Sequence, residues 1–103
     1  MKTPISKLPQ SVDEAVDGLY AKMSLNDEIL LASMNEEDLI DAHFALAYHI
    51  RHEFGLWTGN EALMESCRSV SGDPDLHTDD ASMVIIKALW KKVKKSNIMN
   101  RED

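Results

Sequence analysis

The sequence predicts an all-α fold, a compact single-domain bundle of about five helices with the last long helix central. Three observations carry this. No segment of the 103 residues alternates apolar and polar side chains over the length of a strand. Each stretch with helical apolar spacing opens on a Ser, Asn or Thr suited to capping a helix. Breakers are few, with three prolines and four glycines.

Residues 1–10 contain Pro4 and Pro9 in a polar setting and read as an extended arm. Ser11-Val12-Asp13-Glu14 has the form of a capping box. Val12, Ala15, Val16, Leu19, Tyr20 and Met23 then recur at helical spacing as one apolar stripe. Gly18 falls within this helix, where glycine costs about 1 kcal/mol relative to alanine, and a close helix crossing would account for it. Ser24-Leu25-Asn26-Asp27 opens a second helix of about two to three turns, with Leu25, Ile29, Leu30, Leu31, Ala32 and Met34.

Asn35 caps a third helix. Glu36, Glu37 and Asp38 in its first turn complement the positive end of the helix dipole. It is expected to be the longest, reaching Phe54 with Gly55 as terminator. After the loop Leu56–Gly59, Asn60 caps a fourth helix through Ala62, Leu63, Met64 and Cys67. Ser69 to His77, with Gly72, Asp73 and Pro74, reads as a surface loop. Thr78-Asp79-Asp80 starts the last helix, which is expected to run through Trp90 to Lys95. Met83, Val84, Ile85, Ile86, Ala88, Leu89, Trp90 and Val93 cover nearly all its circumference, as in a bundle centre or an oligomer interface. The domain is thus expected over residues 11–96, followed by a frayed tail at 97–103.

Composition bounds the function. The chain is 44% hydrophobic with one cysteine and a net charge of −7, enough for a core without a disulfide and too apolar for disorder. No apolar run approaches the roughly 20 residues needed to cross a bilayer. Met1 to Lys7 is charged without a following apolar stretch, unlike a signal peptide, so a cytoplasmic protein without membrane contact is expected. Residues 1–90 hold 16 acids and 6 Lys or Arg, a net −10, whereas residues 91–103 carry +3. Such a body repels phosphate, which argues against nucleic acid as a partner, including through a helix-turn-helix pair. Both a monomer and a homodimer fit. A dimer would follow if Ile86, Trp90 and Val93 stay uncovered, or if the lysine-rich end of one chain meets the acidic face of another.

Three stretches carry a resemblance. They are Ser11-Val12-Asp13-Glu14-Ala15-Val16-Asp17; Ile50-Arg51-His52-Glu53-Phe54-Gly55-Leu56-Trp57-Thr58-Gly59-Asn60 with Leu63 and Glu65-Ser66-Cys67; and Asp79-Asp80-Ala81-Ser82-Met83-Val84-Ile85-Ile86 with Leu89-Trp90. Together, from Ser11 to Lys92, the chain resembles a family of short, functionally uncharacterised bacterial domains with IRN-FGLW-GN and DDAS-xx-II-x-xLW patterns. His52 stands where that pattern has Asn, and the loop from Cys67 to Asp79 is longer than the compact HPDDAS form. The resemblance implies a small helical cytoplasmic fold and no known activity, so it supplies no catalytic residues.

Several residues have the chemistry of a site. His49, His52 and Glu53 lie within one turn of the third helix, a spacing that suits zinc ligands, with His77 or Cys67 as a further donor. The order differs from His-Glu-x-x-His and its inverse, and a solvated polar face explains the same residues. His43, on the stripe Ile40, His43, Ala47, Ile50 and Phe54, is expected to be partly buried against a backbone carbonyl. Trp57 and Leu56, flanked by Arg51 and Asn60, offer an aromatic anchor for a partner, or else a plug on the core. Cys67 aligns with Leu63 and Met64 as a buried thiol. Neither Gly-x-Ser-x-Gly nor a P-loop is present, and no cofactor is expected. The function expected is a non-enzymatic protein-interaction module with an unidentified protein partner. The alternative is a metal-binding protein or metal-dependent hydrolase using His49, His52 and Glu53.

Overall fold

Ser11, Ser24, Asn35 and Asn60 each start a helix by accepting an amide three residues on, whereas the last helix starts on backbone bonds to the His77 carbonyl. The computed structural model describes residues 8–56 and 59–101, and among these every regular element is helical. The helices are α1 Val12–Lys22, α2 Leu25–Ala32, α3 Glu36–Glu53, α4 Glu61–Ser71 and α5 Thr78–Arg101. Leu56, read from sequence as loop, is in 3₁₀ conformation, which brings the helical segments among the described residues to six. Trp57 and Thr58 lie outside the described residues.

The caps differ from expectation in one respect. Ser11 Oγ accepts from the Glu14 amide at 3.1 Å, but the Glu14 carboxylate reaches past the cap to the Gln10 amide at 3.0 Å. The reciprocal box forms instead at α3, where Asn35 Oδ1 accepts from the Asp38 amide and Asp38 Oδ2 accepts from the Asn35 amide. Ser24 and Asn60 accept from the Asp27 and Leu63 amides, as their positions predict. Gly55 and Gly72 close α3 and α4 with φ of 73° and 78°, the left-handed conformation that glycine adopts without penalty.

Two expectations are corrected. The longest helix is α5, with 24 residues against 18 in α3. It runs past Lys95 to Arg101 because neither glycine nor proline interrupts it after Pro74. At Gly18 no close crossing exists: an added Cβ would meet nothing within 4 Å.

Helix α5 packs against each of the other four, and α1 also meets α4. Its Ala81, Ile85, Ile86, Leu89 and Val93 are buried among Val12, Ala15 and Val16 of α1, Leu31 of α2, Leu39 and Ile50 of α3, and Leu63, Met64 and Cys67 of α4. Full burial of one such aliphatic side chain is worth about 1.5–3 kcal/mol. Polar ties fix the register. The Trp90 indole donates to the Met34 carbonyl at 3.0 Å, the Tyr20 hydroxyl meets Ser96 Oγ at 3.0 Å, and the Val12 amide donates to Ser66 Oγ at 2.9 Å. Ile86 and Val93 are buried and Trp90 is half-buried, so this face is covered within the chain. Cys67 is buried with its thiol directed at the Ala81 carbonyl, 3.7 Å away. Among the described residues, no helix is long and apolar enough to cross a membrane.

Candidate functional site

The polar residues of the two long motifs meet at the joint between α3 and α5. Arg51 Nη1 lies 3.1 Å from Asp79 Oδ1 and 3.4 Å from Ser82 Oγ. His43 Nε2 lies 2.7 Å from the same hydroxyl, and the Ser82 hydroxyl donates to the Asp79 carbonyl at 2.8 Å. Having given its one proton to that carbonyl, the hydroxyl accepts from His43, whose Nε2 therefore carries hydrogen. Burial, and then the Arg51 charge, lower the His43 pKa against the pull of the Asp79 carbonyl and the Asp79 and Asp80 carboxylates. Ser82 is fully buried. A serine with its proton engaged and no access to solvent is no nucleophile, so the Ser82–His43 contact is a structural bond. His43 is partly buried as expected, with the Ser82 hydroxyl as its close partner, whereas Ile40 on the same predicted stripe is exposed.

Asn60 joins three segments. Its Nδ2 donates to the Phe54 carbonyl at 2.7 Å and to the Pro9 carbonyl at 2.9 Å, while Oδ1 caps α4. The arm is thereby pinned where it enters α1, and Pro9 is buried. Leu56 is buried in the core beside it. Of the residues picked for partner binding, Leu56, Arg51 and Asn60 thus hold the framework together, and Trp57 lies outside the described residues.

His49, His52 and Glu53 are not gathered into one ligand set among the described residues. His52 stacks on Tyr48, with ring centroids 6.0 Å apart, whereas Glu53 pairs with Lys22 at 3.9 Å and His49 turns toward α1 and α2. Successive α-helical positions are about 100° apart, so His52 and Glu53 diverge although both lie within a turn of His49. Among the described residues, no group of three or more His, Cys, Asp or Glu side chains is gathered to hold a metal. Cys67 offers no alternative chemistry, because burial raises its thiol pKa to about 11 against the opposing effect of Arg68.

An open concave surface lies on the other side of α3, and a separate hollow of about 510 Å³ lies between α4 and α5. Helices α2 and α3 each pack on α5 more than along one another. A trough of about 370 Å³ remains between them, lined by Leu19, Met23, Leu30, Leu31, Met34 and Leu46 over Leu89. Leu30 and Leu46 are 60% and 44% exposed there. A further hollow, of about 570 Å³, continues between α1 and the end of α3 and shares Leu19, Lys22 and His49 with the trough. Its lining adds Glu14, Asp17 and Glu53, with Leu8 and Pro9 of the arm at its edge. The apolar trough was not foreseen from sequence, although α2 carried a signal for it. Leu25, Ile29, Leu30, Leu31, Ala32 and Met34 are more apolar side chains than one face of so short a helix can bury, and of these only Leu31 is buried. The trough can hold an apolar surface of another molecule, and no nucleophile with a base lines it.

No curated protein and no solved structure matches this chain. A family model described as a domain of unknown function (DUF6794) matches residues 8–93, which span α1 to α4 and α5 as far as Val93, with the Arg51–Asp79 joint and the trough. The chain belongs to the DUF6794 family of domains of unknown function.

Proposed function

We propose that the protein is a non-enzymatic protein-interaction module whose binding surface is the trough between α2 and α3. The observation that carries this reading is that Leu30 and Leu46, both exposed, belong to one concave and mainly apolar lining. Scattered apolar residues on a surface are ordinary, but a contiguous concave set marks a contact site. Met23 and Met34 suit that role, because unbranched thioether side chains repack around different partner shapes. Leu56, Arg51 and Asn60 are engaged in the framework, which favours the trough over the loop they flank.

A photo-crosslinking amino acid placed in the native host at position 46, and separately at the exposed Val70 away from the trough, tests this. A discrete protein adduct at 46 and none at 70 is the expected result. No adduct at 46, or the same adducts at both positions, overturns the reading.

A further inference from the structure

We infer that the trough is shaped and charged for an amphipathic helix of a partner protein with Lys or Arg along the flanks of its apolar stripe. This rests on the trough being the binding surface and goes on to name the occupant. The first argument is backbone chemistry. The walls are helices whose amides and carbonyls bond internally, and the described residues present no sheet edge to which an extended peptide could add. A helix arrives with its own backbone bonds satisfied and offers side chains at i, i+3, i+4 and i+7, which match a groove between two helices.

The second argument is charge. On α3 the wall reads Ala42, Leu46 and His49 at turn spacing, and Glu53 lies one turn further on in the adjoining hollow. Asp27 begins the α2 wall, and Glu14 and Asp17 line the adjoining hollow. Against these acids stand Lys22, 3.9 Å from Glu53, and Lys92, 3.3 Å from Asp17, which leaves the acids in excess. The chain as a whole carries −7, so the long-range field favours a basic ligand. An anionic membrane surface is repelled by this rim. A second copy would bring the same acidic rim, and like charges oppose its docking here.

The test uses three synthetic peptides of about 18 residues, roughly five helical turns, sharing one Leu stripe and flanked by Lys, Gln or Glu. Binding to the intact protein is read by fluorescence anisotropy at low and high salt. The Lys peptide is expected to bind about tenfold more tightly than the Gln peptide, and the Glu peptide more weakly still, with the Lys advantage shrinking at high salt. Leu46→Gln and Leu30→Gln should weaken all binding while circular dichroism stays unchanged, and Val70→Gln should change nothing. Asp27→Lys combined with Glu53→Lys should erase the Lys advantage and spare Gln-peptide binding. If the Gln or Glu peptide binds as well as the Lys peptide, the basic occupant is wrong and the trough stands. Should no peptide bind, or should Leu46→Gln and Leu30→Gln change nothing, the trough itself is wrong. A dimer in sedimentation that Leu46→Gln dissociates would give the trough to a second copy. Binding to vesicles containing phosphatidylglycerol, lost with Leu46→Gln, would give it to a lipid surface.

Discussion

Arg51 Nη1 and Asp79 Oδ1 stand 3.1 Å apart across the joint of α3 and α5, with the Arg51 side chain 15% exposed and that of Asp79 78% exposed. The asymmetry decides what each contributes. A carboxylate so open to water gains little from its partner, whereas the guanidinium is bonded to Ser82 and packed inside the joint. Arg51→Met, which keeps the stem, is expected to cost about 1–2 kcal/mol in urea denaturation, and Asp79→Asn about 0.5 kcal/mol or less. Equal losses would show that the surface ion pair, and not the buried guanidinium, holds the joint.

His43 in the same cluster makes stability depend on pH. Its folded pKa lies below the ordinary value of about 6.5, chiefly through burial and then through Arg51. The unfolded chain therefore binds the proton more readily. This contribution is complete above about pH 6.5, declines as pH falls through that value, and levels off below the folded pKa. Thermal melts between about pH 7.5 and 5.5 should show the decline, and His43→Gln should flatten it. Arg51, Asp79 and Asp80 are the charged groups acting on the ring, so the same series in Asp80→Asn should steepen the decline.

Asn60 separates capping from donation. As an N-cap, Asp serves about as well as Asn. Here the side-chain amide also donates to the Phe54 and Pro9 carbonyls, which a carboxylate cannot do and instead repels. Asn60→Asp is thus expected to lose about 2–3 kcal/mol, close to the loss in Asn60→Ala, by chemical denaturation. An Asp variant as stable as the parent would mean that the two carbonyl bonds add nothing.

Gly18 lies in the interior of α1 with open space around its missing side chain. Gly18→Ala is expected to stabilise the protein by about 1 kcal/mol, raising Tm by about 4–8 °C. A fall in Tm would reveal a backbone demand at that position.

Cys67 should resist alkylation. With its pKa pushed up to about 11, the folded protein holds about a hundredfold less thiolate at pH 8 than a free thiol, and the buried sulfur is also shielded. Iodoacetamide labelling followed by mass spectrometry should be fast in guanidinium and negligible in buffer. Comparable rates in both would mean that α4 opens locally.

Local chemistry was the legible part. Ser11, Ser24, Asn35 and Asn60 each bond an amide three residues on, which requires nothing beyond the neighbouring chain. Where the reading failed, the answer depended on distant partners or on a small angle. His49, His52 and Glu53 share a side in helical projection, yet Tyr48 takes one and Lys22 another. The lysines at 91–95 resemble the end of a helix but lie within one, because dipole complementation favours a terminus without forcing it. The trough depends on α2 docking against α5 more than along α3, a choice of neighbour that no local pattern encodes.

The packing of every other helix on α5 also sets an order in time. A ribosome delivers α1 to α4 first, and their apolar faces stay wet until Ala81 to Val93 emerge. The Tyr20–Ser96 bond, across 76 residues, forms among the last. Folding of this domain is therefore held back until synthesis is nearly past it, and the unfinished chain exposes Val12, Val16, Leu39 and Ile50 to chaperones and proteases throughout that interval.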